Sequence, residues 1–277
     1  MRPWIETAAV VLLAAGGFGL GLLCSRLKKP YWLLGYVVPF VLVGLIAAAR
    51  RVPRLEFVAP FSWLMSGRAE FALLGFLASM LLATPLSRLP RRSTRALVVL
   101  FAVCAVVSAA VLPFLSPALI RGRLSRLVTR FDIDGICLQG TTYTCGPAAA
   151  VTALRRLGLN ADEGEIAILA HTSAFSGTQP DSLCQALRQR YGPDGLECDV
   201  RFLKSIDELR DADAAVVLVK YRLMVDHYVA VLAVTDDTIT LGDPLNGSRE
   251  LSHDEFRAMW RRTALVLTRD TTSELSP

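Results

Sequence analysis

The first 120 residues contain several apolar runs, and the length of those runs limits what the chain can fold into. The stretch WIETAAVVLLAAGGFGLGLLCS, Trp4 to Ser25, carries a single charged residue, Glu6, near its start. A run of about 20 such residues is long enough for a helix across a hydrocarbon core roughly 30 Å thick, where a helix satisfies all of its own backbone. A secretory signal would have a strongly basic start, a shorter apolar core and a small-residue cleavage site, and more apolar runs follow here. Residues 4–25 are therefore read as a first span. RLKKP then leads into YWLLGYVVPFVLVGLIAAA, a second span at 31–49 that forms a helical hairpin with the first.

Two more spans are expected at 70–86 and 96–119, with SRLPRRSTR between them; Pro113 and Pro117 near the end of the last are tolerable in a membrane helix. The segment Phe57–Ser66 is too short to span and contains Pro60, so it is expected to lie at the interface. The mean hydropathy of +0.43 and 53% apolar residues agree with a partly membrane-embedded chain. Charge separates along it. Residues 1–120 hold 12 Lys/Arg against 3 Asp/Glu, and residues 121–277 hold 18 against 22. The basic excess flanks apolar segments and leaves the polar half slightly acidic, which argues against nucleic acid as a partner. Loop Lys/Arg total 7 on one side and 9 on the side shared by both termini, a small bias that places both termini in the cytoplasm.

A linker is expected at 121–132, a folded module at 133–268 and a disordered tail at 269–277. CGPAAAVTALRRLG has helical spacing and a glycine stop, and DEGEIAILAH and PDSLCQALRQRYG read as two more helices. AAVVLVK, HYVAVLAV and TITLGD read as strands, the last two joined by a tight turn at Asp236-Asp237. Ser252 and Glu255 stand at capping-box spacing and open a closing helix. Helices followed by an antiparallel sheet make an α+β pattern.

Cys145 stands at a helix start, where partial positive charge and free N–H groups favour a thiolate; equally, small cysteines are often just buried there. Gly146 allows a backbone to approach closely, and Pro147 costs no hydrogen bond in a first turn. A nucleophile needs a base and the base an orienter. If the chain turns at Asp236-Asp237, His227 on one strand and Asp243 on the return strand reach the same rim of the sheet. His227 alone could be a strand-edge histidine, and Asp243 before Pro244 an ordinary turn residue. Gln139, with an amide able to donate to an oxyanion, is the fourth candidate. His171 reads as a helix C-terminal residue, His253 as solvated, and Cys184 as core. Cys137 reads as a buried thiol, or as a redox partner for Cys145. No C-x-x-C pair occurs, so neither zinc nor a thioredoxin-type redox pair is suggested; no metal and no cofactor are expected.

Gln139, then Cys145-Gly146-Pro147 and an Ala-rich helix ending in RRLG, followed later by HYVAVLAVTDDTITLGDP and ELSHDEFRAMW, resemble cysteine-peptidase family 39, the bacteriocin-processing, double-glycine leader peptidases. The resemblance covers about residues 133–265. It implies a papain-like α+β fold, with Cys145 as nucleophile, His227 as general base and acid, Asp243 as orienter and Gln139 as oxyanion donor. The family often carries an acidic residue just before the cysteine, where this sequence has Thr144.

By that resemblance the chain is a membrane-anchored cysteine peptidase acting on a peptide or protein, with cleavage after Gly-Gly in a leader as the leading case. Its expected place is a bacterial inner membrane with the peptidase on the cytoplasmic face. Many family members are the N-terminal domain of an ATP-driven exporter. This sequence has the opposite order and no G-x-x-x-x-G-K-[ST] loop, so a separate exporter would supply the ATPase. The alternatives are a module that holds leader peptides without cutting them, and another papain-like amidase or acyltransferase, because a triad specifies acyl chemistry and not its substrate.

Overall fold

The computed structural model describes residues 2–49, 52, 54–55, 69–222 and 225–270. The Phe57–Ser66 segment lies outside them, as do residues 271–277 of the expected tail. The chain divides into two compact units, Met1–Leu119 and Ile120–Pro277.

The first unit contains α1 (Arg2–Arg26), α2 (Leu34–Ala49), α3 (Ala69–Ala83) and α4 (Arg92–Val106), the last continuing through a π turn at Val107–Val111 into α5 (Leu112–Leu124), whose residues from Ile120 on belong to the second unit. Among the described residues, four helical stretches are long and apolar enough to cross a membrane: Pro3–Arg26, Tyr31–Ala49, Ala69–Arg88 and Arg92–Leu124. The fourth exceeds the expected 96–119 at both ends, and its last turn runs past the division between the units at Leu119. The π turn lies just before Pro113. There the Leu112 N–H reaches back five residues to the Val107 carbonyl. A proline lacks an N–H and its ring crowds the carbonyl four residues back, and a locally wider turn accommodates it. Gly17 and Gly21, four apart on α1, lie against the Phe76 and Met80 carbonyls of α3 so closely that a Cβ at either would overlap the backbone. Small residues at this spacing let two apolar helices approach backbone to backbone.

The second unit is built on a six-stranded, wholly antiparallel sheet of β3 (Leu196–Phe202), β4 (Ala214–Arg222), β5 (Val225–Val234), β6 (Thr238–Asp243), β7 (Gly247–Ser252) and β8 (Trp260–Arg269), in the order β3-β8-β4-β5-β6-β7. A two-stranded ladder of β1 (Arg130–Phe131) and β2 (Cys137–Leu138) precedes it, so ordered structure begins slightly before the expected 133. On one side α6 (Cys145–Arg156) and α8 (Pro180–Tyr191), with α7 (Glu163–Leu169), share a core with Ala214, Val216, Tyr228 and Leu265. On the other, α9 (Asp207–Arg210) and α10 (His253–Met259) bring Leu209 and Phe256 onto Val217, Val229, Ile239 and Leu241. Strand alternation explains the split, since successive side chains leave opposite faces.

Local chemistry shapes the pieces. Ala148, Ala149 and Ala150 are wholly buried on α6, and Gly242 of β6 meets Thr152, to whose methyl a Cβ there would come within 3.3 Å. The helix ends as expected: Gly158 is left-handed (φ 74°), and the Leu159 N–H closes a 2.9 Å bond to the Leu154 carbonyl. Ser252 and Glu255 make both bonds of a capping box. Thr235 and Thr238 close the β5–β6 turn around Asp236 and Asp237 with a 2.9 Å backbone bond. The sequence reading did not include β3, β7 or β8. It also started the tail at 269, whereas β8 extends through Arg269. Cys184 is buried in the core as expected, but it is also disulfide-bonded to Cys198, which ties α8 to β3 with Cα atoms 5.5 Å apart.

Candidate active site

Thr144 is the N-cap of α6 but its side chain makes no capping bond. Its hydroxyl is turned back to Thr141, accepting from the Thr141 N–H at 3.1 Å and lying 3.0 Å from the Thr141 hydroxyl. The N–H groups of Cys145 and Gly146, in the first turn, have no acceptor within the helix. Cys145, half-buried and unoxidised, therefore lies where a helix offers both partial positive charge and free donors. Gly146 does not open the site to a substrate backbone, as its smallness alone would allow. It is buried, and a Cβ there would lie 3.3 Å from Thr178 and Tyr228 and 3.4 Å from Leu183. What approaches Gly146 is the protein itself, which seats the Cys145 end of α6 against β5 and the loop before α8.

β5 and β6 bring His227 and Asp243 together. Ala230 pairs with Gly242 and Val231 with Leu241, so His227 and Asp243 share a face diagonally across the ladder. His227 is the third residue of β5 and not its first. Its Nε2 lies 2.7 Å from Asp243 Oδ1, and both side chains are nearly fully buried. The Cys145 sulfur is near enough to the imidazole to help raise its pKa. With Nε2 taken by the carboxylate, Nδ1 is the nitrogen left for the sulfur. Burial disfavours the imidazolium, but the Asp243 bond and the nearby Cys145 sulfur outweigh it and raise the His227 pKa to about 9. For Asp243, burial raises the pKa, and the His227, Asn246 and Leu245 bonds together lower it to about 2.

Asp243 holds three partners that the sequence reading missed. It accepts from the Leu245 N–H at 2.9 Å and from Asn246 Nδ2 at 2.7 Å, and Arg249 Nη1 lies 3.7 Å from its Oδ2. The signal was present in DPLN: an aspartate that accepts from the N–H two residues on is an Asx turn. Asp243 is thus a turn residue and the histidine's partner at once. The Tyr221 ring, 5.5 Å from that of His227, flanks the other side.

Gln139 lies on the loop between β2 and α6. Its N–H donates to the Pro244 carbonyl at 3.0 Å, and its Nε2 donates to the Thr141 carbonyl at 2.7 Å. The loop is thereby bonded to the turn that carries Asp243, and one amide hydrogen of Gln139 remains over. Beneath the loop the carboxylate of Glu163 is wholly buried and accepts from the Gly140 N–H at 2.8 Å; burial raises its pKa. Cys137 is buried and free, and burial, with Glu163 and Asp162 adding to it, pushes its thiol up to about 12, so it is poorly suited to redox exchange. His171, left-handed at φ 52°, follows the end of α7, and His253 opens α10; neither is part of this constellation. Among the described residues no group of His, Cys, Asp and Glu could hold a metal.

A helix that presents a cysteine to a histidine–carboxylate pair on an antiparallel sheet defines a papain-like α+β fold. The family model of the Peptidase C39 family matches residues 134–272, and the chain belongs to that family. An uncharacterized protein of Methanothermobacter marburgensis is 32% identical over 137 residues, which are 49% of this chain and 89% of that protein. A second, of Methanothermobacter thermautotrophicus, is 29% identical over 141 residues, 51% of this chain and 93% of that one. Solved structures with similarity include the peptidase domain of Streptococcus ComA, a bi-functional ABC transporter of a quorum-sensing pathway (21% identity, TM-score 0.42, 48% of this chain and 96% of that chain). Another is a double glycine motif protease from an AMS/PCAT transporter in complex with the leader peptide (14% identity, TM-score 0.42, 52% and 93%).

Proposed function

We propose that this protein is a membrane-anchored cysteine peptidase in which Cys145 is the nucleophile, His227 the general base and acid, Asp243 the orienter and Gln139 the oxyanion donor. The observation that carries the reading is the buried 2.7 Å bond between His227 and Asp243, with the Cys145 sulfur near enough to help raise the histidine's pKa. The thiolate attacks the scissile carbonyl carbon, and the carbonyl's π electrons move onto oxygen. The remaining Gln139 amide hydrogen and the Cys145 N–H are the donors for that oxyanion. His227 then donates its proton to the leaving amine as the C–N bond breaks. Water, deprotonated by His227, attacks the thioester, and the acid product leaves with the sulfur again a thiolate.

Peptides are the substrate class, and a leader cut after Gly-Gly is the first case to test. A separate ATP-driven exporter would be its partner. The non-cleaving alternative requires that this arrangement do nothing. Labelling of the full-length protein by a thiol-reactive peptide warhead separates the two, with Cys145→Ala as control. Specific labelling together with cleavage of a Gly-Gly leader peptide supports the reading. Labelling without cleavage of any peptide would favour an amidase or acyltransferase. Absence of both from folded protein would leave the binding module.

The basic bias of the loops favours the cytoplasmic face for the peptidase unit, and the Cys184–Cys198 disulfide favours an oxidising compartment. A reporter fused after Pro277 decides between them: fluorescence from a cytoplasm-dependent protein supports the first, and activity of a periplasm-dependent phosphatase the second.

A further inference from the structure

We infer that Glu163 is a positioning residue for the oxyanion donor, its carboxylate holding the Gly140 N–H and so the loop from which Gln139 acts. This rests on the reading of Gln139 given above. Glu163 has 0% exposure, a place where glutamate is rarely found without a specific partner. Its own helix does not need it. Asp162 is the N-cap of α7 and accepts from the Glu165 N–H at 2.9 Å, while the Glu163 N–H donates to the Thr129 hydroxyl at 3.0 Å. Among the described residues no cation pairs with the carboxylate, so hydrogen bonds and the helix N-terminus at which it stands offset its burial.

Those bonds cross to the catalytic loop. Oε1 accepts from the Gly140 N–H at 2.8 Å, and a Cβ on Gly140 would lie 3.3 Å from Oε2 and 3.0 Å from Leu127. The loop is thus held between the carboxylate and an apolar side chain. The Thr144 hydroxyl also approaches Glu163, although its short bonds are to Thr141 and Oε2 is left without a hydrogen-bond partner among the described residues. Two anchors therefore fix successive peptide units, Glu163 on Gly140 and Thr144 on Thr141. The Thr141 carbonyl then fixes the Gln139 amide at 2.7 Å. Without the first anchor, the loop's remaining ties are the Gln139–Pro244 backbone bond and the Thr141–Thr144 pair. Gln139 would then sample orientations in which its free N–H misses the oxyanion.

The test is a double-mutant cycle on the full chain in detergent micelles, with a synthetic Gly-Gly leader peptide as substrate. Glu163→Leu should lower kcat about 30- to 100-fold with KM within about twofold, the signature of a lost transition-state contact. Adding Gln139→Ala to Glu163→Leu should cost no more than about twofold beyond Gln139→Ala alone, because both remove one function. Glu163→Gln keeps an acceptor for Gly140 and should retain kcat within about fivefold. Amide hydrogen exchange of the segment 138–144 gives a readout that needs no activity. It should accelerate in Glu163→Leu, or in Glu163→Met should Leu fail to fold, and stay near wild type in Glu163→Gln. Losses that multiply in the double variant, or exchange in 138–144 unchanged by the apolar variants, would overturn the inference. A wild-type protein that cuts no peptide would defeat the reading of function, and the exchange measurement would still decide the clamp.

Discussion

The two units use large apolar side chains in opposite ways. In the N-terminal unit Leu12 and Phe40 are more than 70% exposed, while the contact between α1 and α3 is made at Gly17 and Gly21. In the C-terminal unit Leu154, Leu183 and Leu265 are wholly buried in one apolar core. The difference is the one expected of a lipid-facing unit beside a water-facing one. In lipid an outward leucine costs nothing, so close packing holds helices together and small residues mark the contacts. In water the same leucine contributes about 1.5–3 kcal/mol when buried, and large side chains fill the interior. A glycine also has two meanings here. Gly17 admits a neighbouring helix's backbone, whereas Gly146 admits side chains that seat the Cys145 end of α6.

If the units are this different, their variants should fail differently. The largest effect is expected from His227→Ala, on the order of a thousandfold or more in turnover, matching Cys145→Ala because triad members act as a unit. Peptide-cleavage assays would measure it, and the N-terminal unit should stay inserted. Near-normal turnover by either variant would remove the assigned site. Gln139→Ala should cost roughly a hundredfold in kcat, about 3 kcal/mol, with little change in KM. A collapse of binding instead would make Gln139 a substrate contact.

Gly21→Leu is the converse variant. Its side chain has no room against Met80, and overpacking of this kind costs about 1–3 kcal/mol. Lower thermal stability in detergent is expected, with warhead labelling of Cys145 preserved; loss of labelling at full stability would contradict the division of roles.

The smallest effect concerns pH. The His227 pKa is raised from 6.5 to about 9, so its stabilising contribution is fully present below about 6.5 and is lost as pH rises through 9. That of Asp243, lowered from 3.8 to about 2, is lost only as pH falls through 2. The melting temperature of the second unit should therefore decline between pH 7 and 10. Asp243→Asn should weaken that decline and move the alkaline limb of kcat/KM to lower pH. A limb unchanged in Asp243→Asn would show that the carboxylate does not set the histidine's proton affinity.

What was legible before any coordinates were local features whose physics lies within a few residues. The capping box of Ser252 and Glu255, the left-handed stop at Gly158, the Asp236-Asp237 turn and the helix start at Cys145 each depend on neighbours four or fewer positions away. The apolar spans were legible for the same reason, since lipid asks only for length and composition, although the turn that carries the last one past Pro113 to Leu124 was not. His227 and Asp243 could be brought together because a single hairpin relates them. Other features needed partners that the sequence does not rank. β8 is the last strand among the described residues yet lies between β3 and β4, because its apolar side chains must be covered on both faces and only the assembled helices provide that cover. Cys184 meets Cys198 through the packing of α8 on β3. Arg249 of β7 comes near Asp243 only where β6 and β7 pair. Glu163, a glutamate in a helical first turn, reads as solvated until the fold lays the Gln139 loop over it; desolvation and a 2.8 Å bond to Gly140, 23 residues away in sequence, then decide what its carboxylate does.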